Sequence, residues 1–287
     1  MTIQRVFVAG AGLMGHGIGQ VLAATGRDVA LYEPAIERAT AGRDRIAANL
    51  ERAVAKGRLD AAEQEATIAR VEATADPNAA ADADLVVEAI FEDVEAKRLL
   101  WAEIDAIAPE AAIFASNTSS ISIDTLAAAV SAGRRAQFVG MHFFSPVPVM
   151  PLIELVRGTA TSDGTADAIR ALADDLGKRL IVSADRPGFI VNRMLMPFLA
   201  EAMRALEEGV ATADDIDAGA KIGLNHPMGP LELADFIGLD VCRGIMVVLH
   251  EGLAGEQFRP PQVLDELVAA GHLGQKTGRG FHVYPRS

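Results

Sequence analysis

The 287-residue chain has a single cysteine, Cys242, so no disulfide can form within it. A cysteine-built zinc site is excluded on the same ground. One thiol fits a reducing compartment, and the cytoplasm is the expected location. Positive charge is scarce: 26 lysines and arginines face 39 aspartates and glutamates, for a net charge of −13. That balance argues against a nucleic-acid partner, because binding phosphates needs a basic footprint. It argues equally against docking on anionic membranes. No stretch of about 18 uncharged apolar residues exists, so no membrane span is expected. The opening MTIQRVFVAG lacks a basic segment, an apolar segment and a cleavage site, and is read as a strand rather than a signal peptide. Internal repeats are also missing. What remains is an ordinary globular composition, 50% hydrophobic and 23% charged, in a chain long enough for two domains.

Short apolar runs alternate with stretches of helical period. The runs at 5–9, 28–32, 85–88, 113–115, 138–141, 152–156 and 180–182 read as strands. Most are rich in Val, Ile and Leu, as strands covered on both faces should be. Helical patterns occupy 14–25, 35–56, 61–69, 92–108 and 165–176. This alternation implies an α/β fold of the Rossmann type, a doubly wound and mostly parallel sheet. After Asp185-Arg186-Pro187-Gly188 the strand signals fade. One helix is expected from about 189 to 208, a second after Thr212, a third opening at Pro230 and a fourth after Pro260-Pro261. The expected division is 1–185 for the α/β domain and 186–287 for an all-α domain.

The first strand runs into Gly10-Ala11-Gly12-Leu13-Met14-Gly15, a G-x-G-x-x-G that opens a helix. Gly10 permits a tight turn, Gly12 lets a pyrophosphate reach the backbone, and Gly15 lets helix and strand pack closely. The helix N-terminus supplies unpaired N–H groups to the phosphates. Glu33 closes the second strand, where a carboxylate can accept bonds from both ribose hydroxyls and would repel a 2′-phosphate. The constellation points to dinucleotide binding, with NAD preferred to NADP.

Polar residues gather where apolar strands end. Ser116-Asn117-Thr118-Ser119-Ser120 follows one strand and reads either as a helix cap or as part of a site. His142 closes another strand, where open α/β sheets bind their ligands. Glu154 lies inside the apolar run Leu152-Ile153-Glu154-Leu155-Val156, a costly place for an unpaired carboxylate, and His142 is its expected partner. An imidazole held by a carboxylate suits proton removal during alcohol oxidation. Ser119 and Asn192 are candidates to donate to the substrate oxygen. A Ser-His-Glu hydrolase is disfavoured, because no G-x-S-x-G is present and the glycine loop would go unexplained. Six of the 26 basic residues fall within 38–58, among them Lys56. That concentration reads either as a solvated helix face or as a landing site for a second polyphosphate.

The chain closely resembles the L-3-hydroxyacyl-CoA dehydrogenases, above all the bacterial 3-hydroxybutyryl-CoA type. The likeness rests on GAGLMGHGI at 10–18, DLVVEAIFED at 84–93, ASNTSSISI at 115–123 and GMHFFSPVPVMPLIEL at 140–155. It continues through DRPGFIVNR at 185–193, NHPMGPLELADFIGLDV at 225–241 and LGQKTGRGFHVY at 273–284. The resemblance implies that His142 is the catalytic base and Glu154 its paired carboxylate. It implies that Ser119 and Asn192 position the substrate, and that Glu33, Glu92, Lys97 and Lys276 contact NAD, with Ser119 near both ligands. Lys56 matches a lysine that meets CoA. The helical domain would form a homodimer. Two positions depart from the usual pattern: Ser145, near the nicotinamide site, stands where many members have Asn, and Pro151 stands where many short-chain members have Lys.

The expected activity is reversible oxidation of an (S)-3-hydroxyacyl-CoA with NAD, in fatty-acid or butanoate metabolism and with no metal. Two alternatives stay open. One is a dehydrogenase of a free hydroxy acid or a carrier-bound acyl group; the other is a non-catalytic NAD-binding protein.

Overall fold

The computed structural model describes residues 2–285 and divides into two compact units, Met1–Arg186 and Pro187–Ser287. Unit one contains, in order, β1 (Arg5–Ala9), α1 (Leu13–Ala24), β2 (Asp28–Tyr32), α2 (Ile36–Ala55), α3 (Ala61–Ala69) and β3 (Val71–Thr74). It continues with β4 (Leu85–Glu88), α4 (Val94–Asp105), β5 (Ile113–Ser116), α5 (Ile123–Ala127), β6 (Phe138–Phe143), β7 (Leu152–Arg157), α6 (Asp163–Asp175) and β8 (Arg179–Ala184).

The strands form one eight-stranded sheet in the order β3-β2-β1-β4-β5-β6-β7-β8. All neighbours are parallel except β6 and β7. The order reverses between β1 and β4, the position at which open α/β sheets bind ligands. Alternate residues of β1 face opposite ways, as the strand period requires. Val6 and Val8 join Ile18 and Leu22 of α1, Ile46 and Leu50 of α2, and Ile169 and Leu172 of α6 in one core. A second apolar centre stacks Trp101 of α4 on Phe114 of β5 and meets Phe138 of β6 edge-on, each pair with ring centroids 4.9 Å apart.

Several boundaries differ from the sequence expectation. β3 was not expected: Val-Glu-Ala-Thr carries little apolar signal, and only β2 pairs with it, so it lies at the sheet's edge. The strand expected to end at 141 runs to Phe143, because His142 and Phe143 pair with Glu154 and Ile153 of β7. The helix expected from 92 starts at Val94, where Asp93 caps it by accepting from the Ala96 amide at 2.8 Å. Glu92 is therefore in the loop before α4.

Unit two is helical, with α7 (Val191–Glu207), α8 (Ala213–Ala218), α9 (Pro230–Ile237), α10 (Leu239–Leu253) and α11 (Gln262–Ala269). Thr212 caps α8 through the Asp215 amide, and Pro230 opens α9, as their sequence positions suggest. The pattern after Pro230 splits into two helices at Gly238, whose φ of 105° no ordinary side chain adopts comfortably. The unit's core joins Leu199 and Met203 of α7, Leu231 of α9, Cys242, Met246 and Leu249 of α10, and Leu264 of α11. Among the described residues no helix is long and apolar enough to cross a membrane.

Candidate active site

The glycine loop joins β1 to α1, and its three glycines meet different surroundings. Gly10 has φ 101°, and a Cβ there would lie 2.5 Å from the Ala89 carbonyl oxygen. A Cβ on Gly15 would lie 1.7 Å from the Gly10 carbonyl oxygen, so only glycine lets α1 approach the turn this closely. A Cβ on Gly12 would meet nothing within 4 Å, and Gly12 is exposed. This open backbone is what an approaching phosphate needs. Gly12 caps α1 without a side-chain hydrogen bond, and the first turn holds no acidic residue that would compete for its amides. Leu13 is 70% exposed at the helix start, while Met14 packs inward on the core. Just past β2, Glu33 accepts from the Ala11 amide through Oε1 at 2.7 Å, which sets its carboxylate beside the loop. These features fit a bound dinucleotide.

On β6 and β7, His142 and Glu154 are directly opposite in the antiparallel register. His142 is 7% exposed and Glu154 fully buried. Nδ1 of the imidazole lies 3.1 Å from Oε2 of Glu154, within hydrogen-bond distance. The imidazole also packs on Phe144, ring centroids 4.4 Å apart. Asn117 accepts from the Phe143 amide at 2.9 Å, tying the loop after β5 to the histidine's strand. Lys178 donates to the Val147 and Met150 carbonyls at 2.7 Å each, bracing the turn that follows exposed Ser145. Burial lowers the Lys178 pKa.

A second polar cluster links β4, α4 and the loop after β5. Glu92 Oε1 accepts from Thr118 Oγ1 at 2.5 Å, from the Ser119 amide at 2.9 Å and from the Ser120 amide at 3.2 Å. Its Oε2 pairs with Lys97 Nζ at 3.1 Å. Burial would raise the Glu92 pKa, but Lys97 and the Thr118 and Ser119 donors outweigh it and hold the carboxyl below its ordinary value. Lys97 was expected to touch NAD. The structure buries it, 1% exposed, with its ammonium on both Glu92 and Glu88. Ser119 is half-buried, and its amide and hydroxyl both reach Glu92.

The other candidates lie apart from this cluster in the chain. Lys56 is exposed as the C-cap of α2. In unit two, Asn192 is buried in the first turn of α7, and Lys276 pairs with Asp240 of α10 at 2.5 Å. Sequence reading passed over Glu88 and Lys178, and named Asn117 only within the polar run 116–120. For Glu88 a signal existed, since it closes the apolar run Leu85-Val86-Val87 much as Glu154 interrupts its own. Lys178 and Asn117 act on backbone groups brought near by the fold, which no local pattern reveals.

Residues 5–186 match the family described as 3-hydroxyacyl-CoA dehydrogenase, NAD binding domain, and residues 188–284 match its C-terminal domain. The chain is 48% identical over 283 residues to a 3-hydroxybutyryl-CoA dehydrogenase of Bradyrhizobium diazoefficiens, covering 99% of this chain and 96% of the relative. It is 41% identical over 292 residues to the mitochondrial hydroxyacyl-coenzyme A dehydrogenase of Sus scrofa, covering 99% and 92%. The crystal structure of the (S)-3-hydroxybutyryl-CoA dehydrogenase from Ralstonia eutropha superposes with a TM-score of 0.95 at 44% identity, covering 99% of this chain and all of that one. With a glycine loop built for a dinucleotide, a buried imidazole-carboxylate pair and both domains matched, the chain belongs to the 3-hydroxyacyl-CoA dehydrogenase family.

Proposed function

We propose that this protein oxidises (S)-3-hydroxyacyl-CoA, with 3-hydroxybutyryl-CoA as its foremost substrate, to the 3-oxoacyl-CoA, and that His142 is the general base. The observation that carries this reading is the buried His142–Glu154 pair, in a chain whose first domain matches an NAD-binding one. Gly10, Gly12, Gly15 and the start of α1 would hold the dinucleotide phosphates, and Glu33 the adenosine ribose. NAD, when bound, accepts the hydride that leaves C3. His142 takes the hydroxyl proton at Nε2, since Nδ1 is committed to Glu154. Glu154 keeps the ring in that tautomer and stabilises the imidazolium as the proton arrives. Ser119 donates to the substrate oxygen in this reading, and Glu92 fixes the orientation of Ser119. Lys56 and its basic neighbours attract the CoA phosphates. In the reverse direction His142 returns the proton. We further assign the protein to the cytoplasm, as a homodimer through its helical domain, which size-exclusion chromatography with light scattering would check.

Following NADH absorbance across a ladder of 3-hydroxyacyl-CoA lengths, with NAD and NADP side by side, tests the proposal. Turnover should be supported by NAD, and free CoA should compete. NAD binding with no NADH formed on any length would contradict it. Turnover of free hydroxy acids without competition by CoA would move the substrate class.

A further inference from the structure

We infer that Glu88 is a positioning residue for this reaction: through Lys97 and Glu92 it fixes the loop that carries Ser119, and through the Ile90 amide it fixes the backbone against which the glycine turn packs. The inference rests on the reading that the glycine turn binds NAD and Ser119 the substrate oxygen. Glu88 is the last residue of β4, which lies between β1 and β5 where the strand order reverses. Its register partners are Ala9, just before the glycine loop, and Ser116, just before the serine loop. The carboxylate is fully buried, and each of its bonds goes to a different segment. Oε1 accepts from Lys97 Nζ of α4 at 2.5 Å and from the Ile90 amide at 2.9 Å, and Oε2 accepts from Ser116 Oγ at 2.6 Å.

Each bond leads on to a part of the site. The Ala89–Ile90 backbone held by Glu88 is the surface that a Cβ on Gly10 would strike, with the Ile90 nitrogen 3.0 Å away. Ser116 Oγ in turn accepts from the Thr118 amide at 3.2 Å. Lys97 carries the connection to Glu92, whose other oxygen gathers Thr118, Ser119 and Ser120. A buried ion pair is a weak device for stability alone, since apolar residues of like volume often serve as well. What apolar residues could not do is hold an ammonium at one point between two carboxylates. Burial pushes the Glu88 pKa up against the pull of Lys97 and Ser116, a cost consistent with a retained directional role.

The test compares the wild-type protein with Glu88→Gln, Lys97→Met and the double variant, using amide hydrogen exchange at Ser119 and Ser120. In either single variant these two amides should exchange about tenfold faster, while amides of α6 keep their protection. With 3-hydroxybutyryl-CoA, kcat/KM should fall about tenfold in each single variant. At Ser119 and Ser120 the double variant should exchange less than a hundredfold faster, because Glu88 and Lys97 act on these amides through a shared contact with Glu92. Unchanged exchange at Ser119 and Ser120 in folded Glu88→Gln would overturn the inference, as would a double variant in which the two increases in exchange at these amides multiply. Should Glu88→Gln fail to fold, Lys97→Met decides by the same exchange measurement: faster exchange supports the inference and unchanged exchange overturns it. Exchange does not depend on turnover. An inactive wild-type protein would therefore count against the functional reading while leaving the exchange result to decide the role of Glu88.

Discussion

Glu88 and Glu154 are both fully buried in strands of the same sheet, and they differ in the cation each one meets. Glu154 faces an imidazole across an antiparallel register, at 3.1 Å. Glu88 faces an ammonium, at 2.5 Å, and that ammonium is shared with Glu92. An imidazole offers one ring nitrogen to its carboxylate, whereas an ammonium has three donors and can bridge two carboxylates. In the reading proposed above, the same costly device, a carboxylate taken out of water, serves proton transfer at one place and fixed geometry at the other. The antiparallel turn of the sheet at β7 is what makes the first pair possible, because it sets His142 and Glu154 directly opposite one another. The second pair needs no such turn, since α4 brings Lys97 back over the end of β4.

The contrast can be broken at either pair. The largest effect should come from His142→Gln, which removes the proposed base and leaves the glycine loop unaltered in sequence. Turnover of 3-hydroxybutyryl-CoA should fall about 10³-fold, within the range ascribed to general acid–base groups, with NAD affinity by fluorescence titration unchanged. Glu154→Gln should lower kcat about 10²-fold, because the amide neither fixes the imidazole tautomer nor stabilises the imidazolium. Glu33→Ala should narrow the preference for NAD over NADP about tenfold, read from kcat/KM with each coenzyme.

Acid titration gives a smaller effect with a defined sign. Glu92 has its pKa lowered in the fold, so it contributes stability above its ordinary carboxylate range. That contribution is lost as pH falls through the lowered value. Glu92→Gln should therefore flatten part of the acid limb of stability measured by urea unfolding. The smallest response belongs to Cys242, whose thiol burial pushes up to about 12. A maleimide or disulfide reagent at pH 8 should leave it unmodified in the folded protein and label it fully in denaturant.

Much of the α/β unit can be read from the sequence, because its strands are covered on both faces and so appear as continuous Val, Ile and Leu runs. β3 escapes because an edge strand of Val-Glu-Ala-Thr has no such run. α5 escapes because five residues are too few to show a period. In the helical unit the break at Gly238 divides one apolar pattern into two helices, and only its backbone angle reveals where. At the site, His142 and Glu154 stand out as polar residues in apolar strands, and their pairing follows once adjacent antiparallel strands are supposed. For Lys97 the resemblance implies a contact with NAD, while only the fold shows its ammonium buried between carboxylates contributed by a strand and a loop.

The central claim is that hydride leaves C3 of an acyl-CoA alcohol as His142 takes the hydroxyl proton. It is tested most directly by a single turnover of the wild-type protein with (S)-3-hydroxybutyryl-CoA deuterated at C3. The account predicts that the NADH formed carries the deuterium, with a primary isotope effect on its appearance, and that His142→Gln forms almost none in the same interval. Unlabelled NADH, or labelled NADH formed at the wild-type rate by His142→Gln, would contradict it.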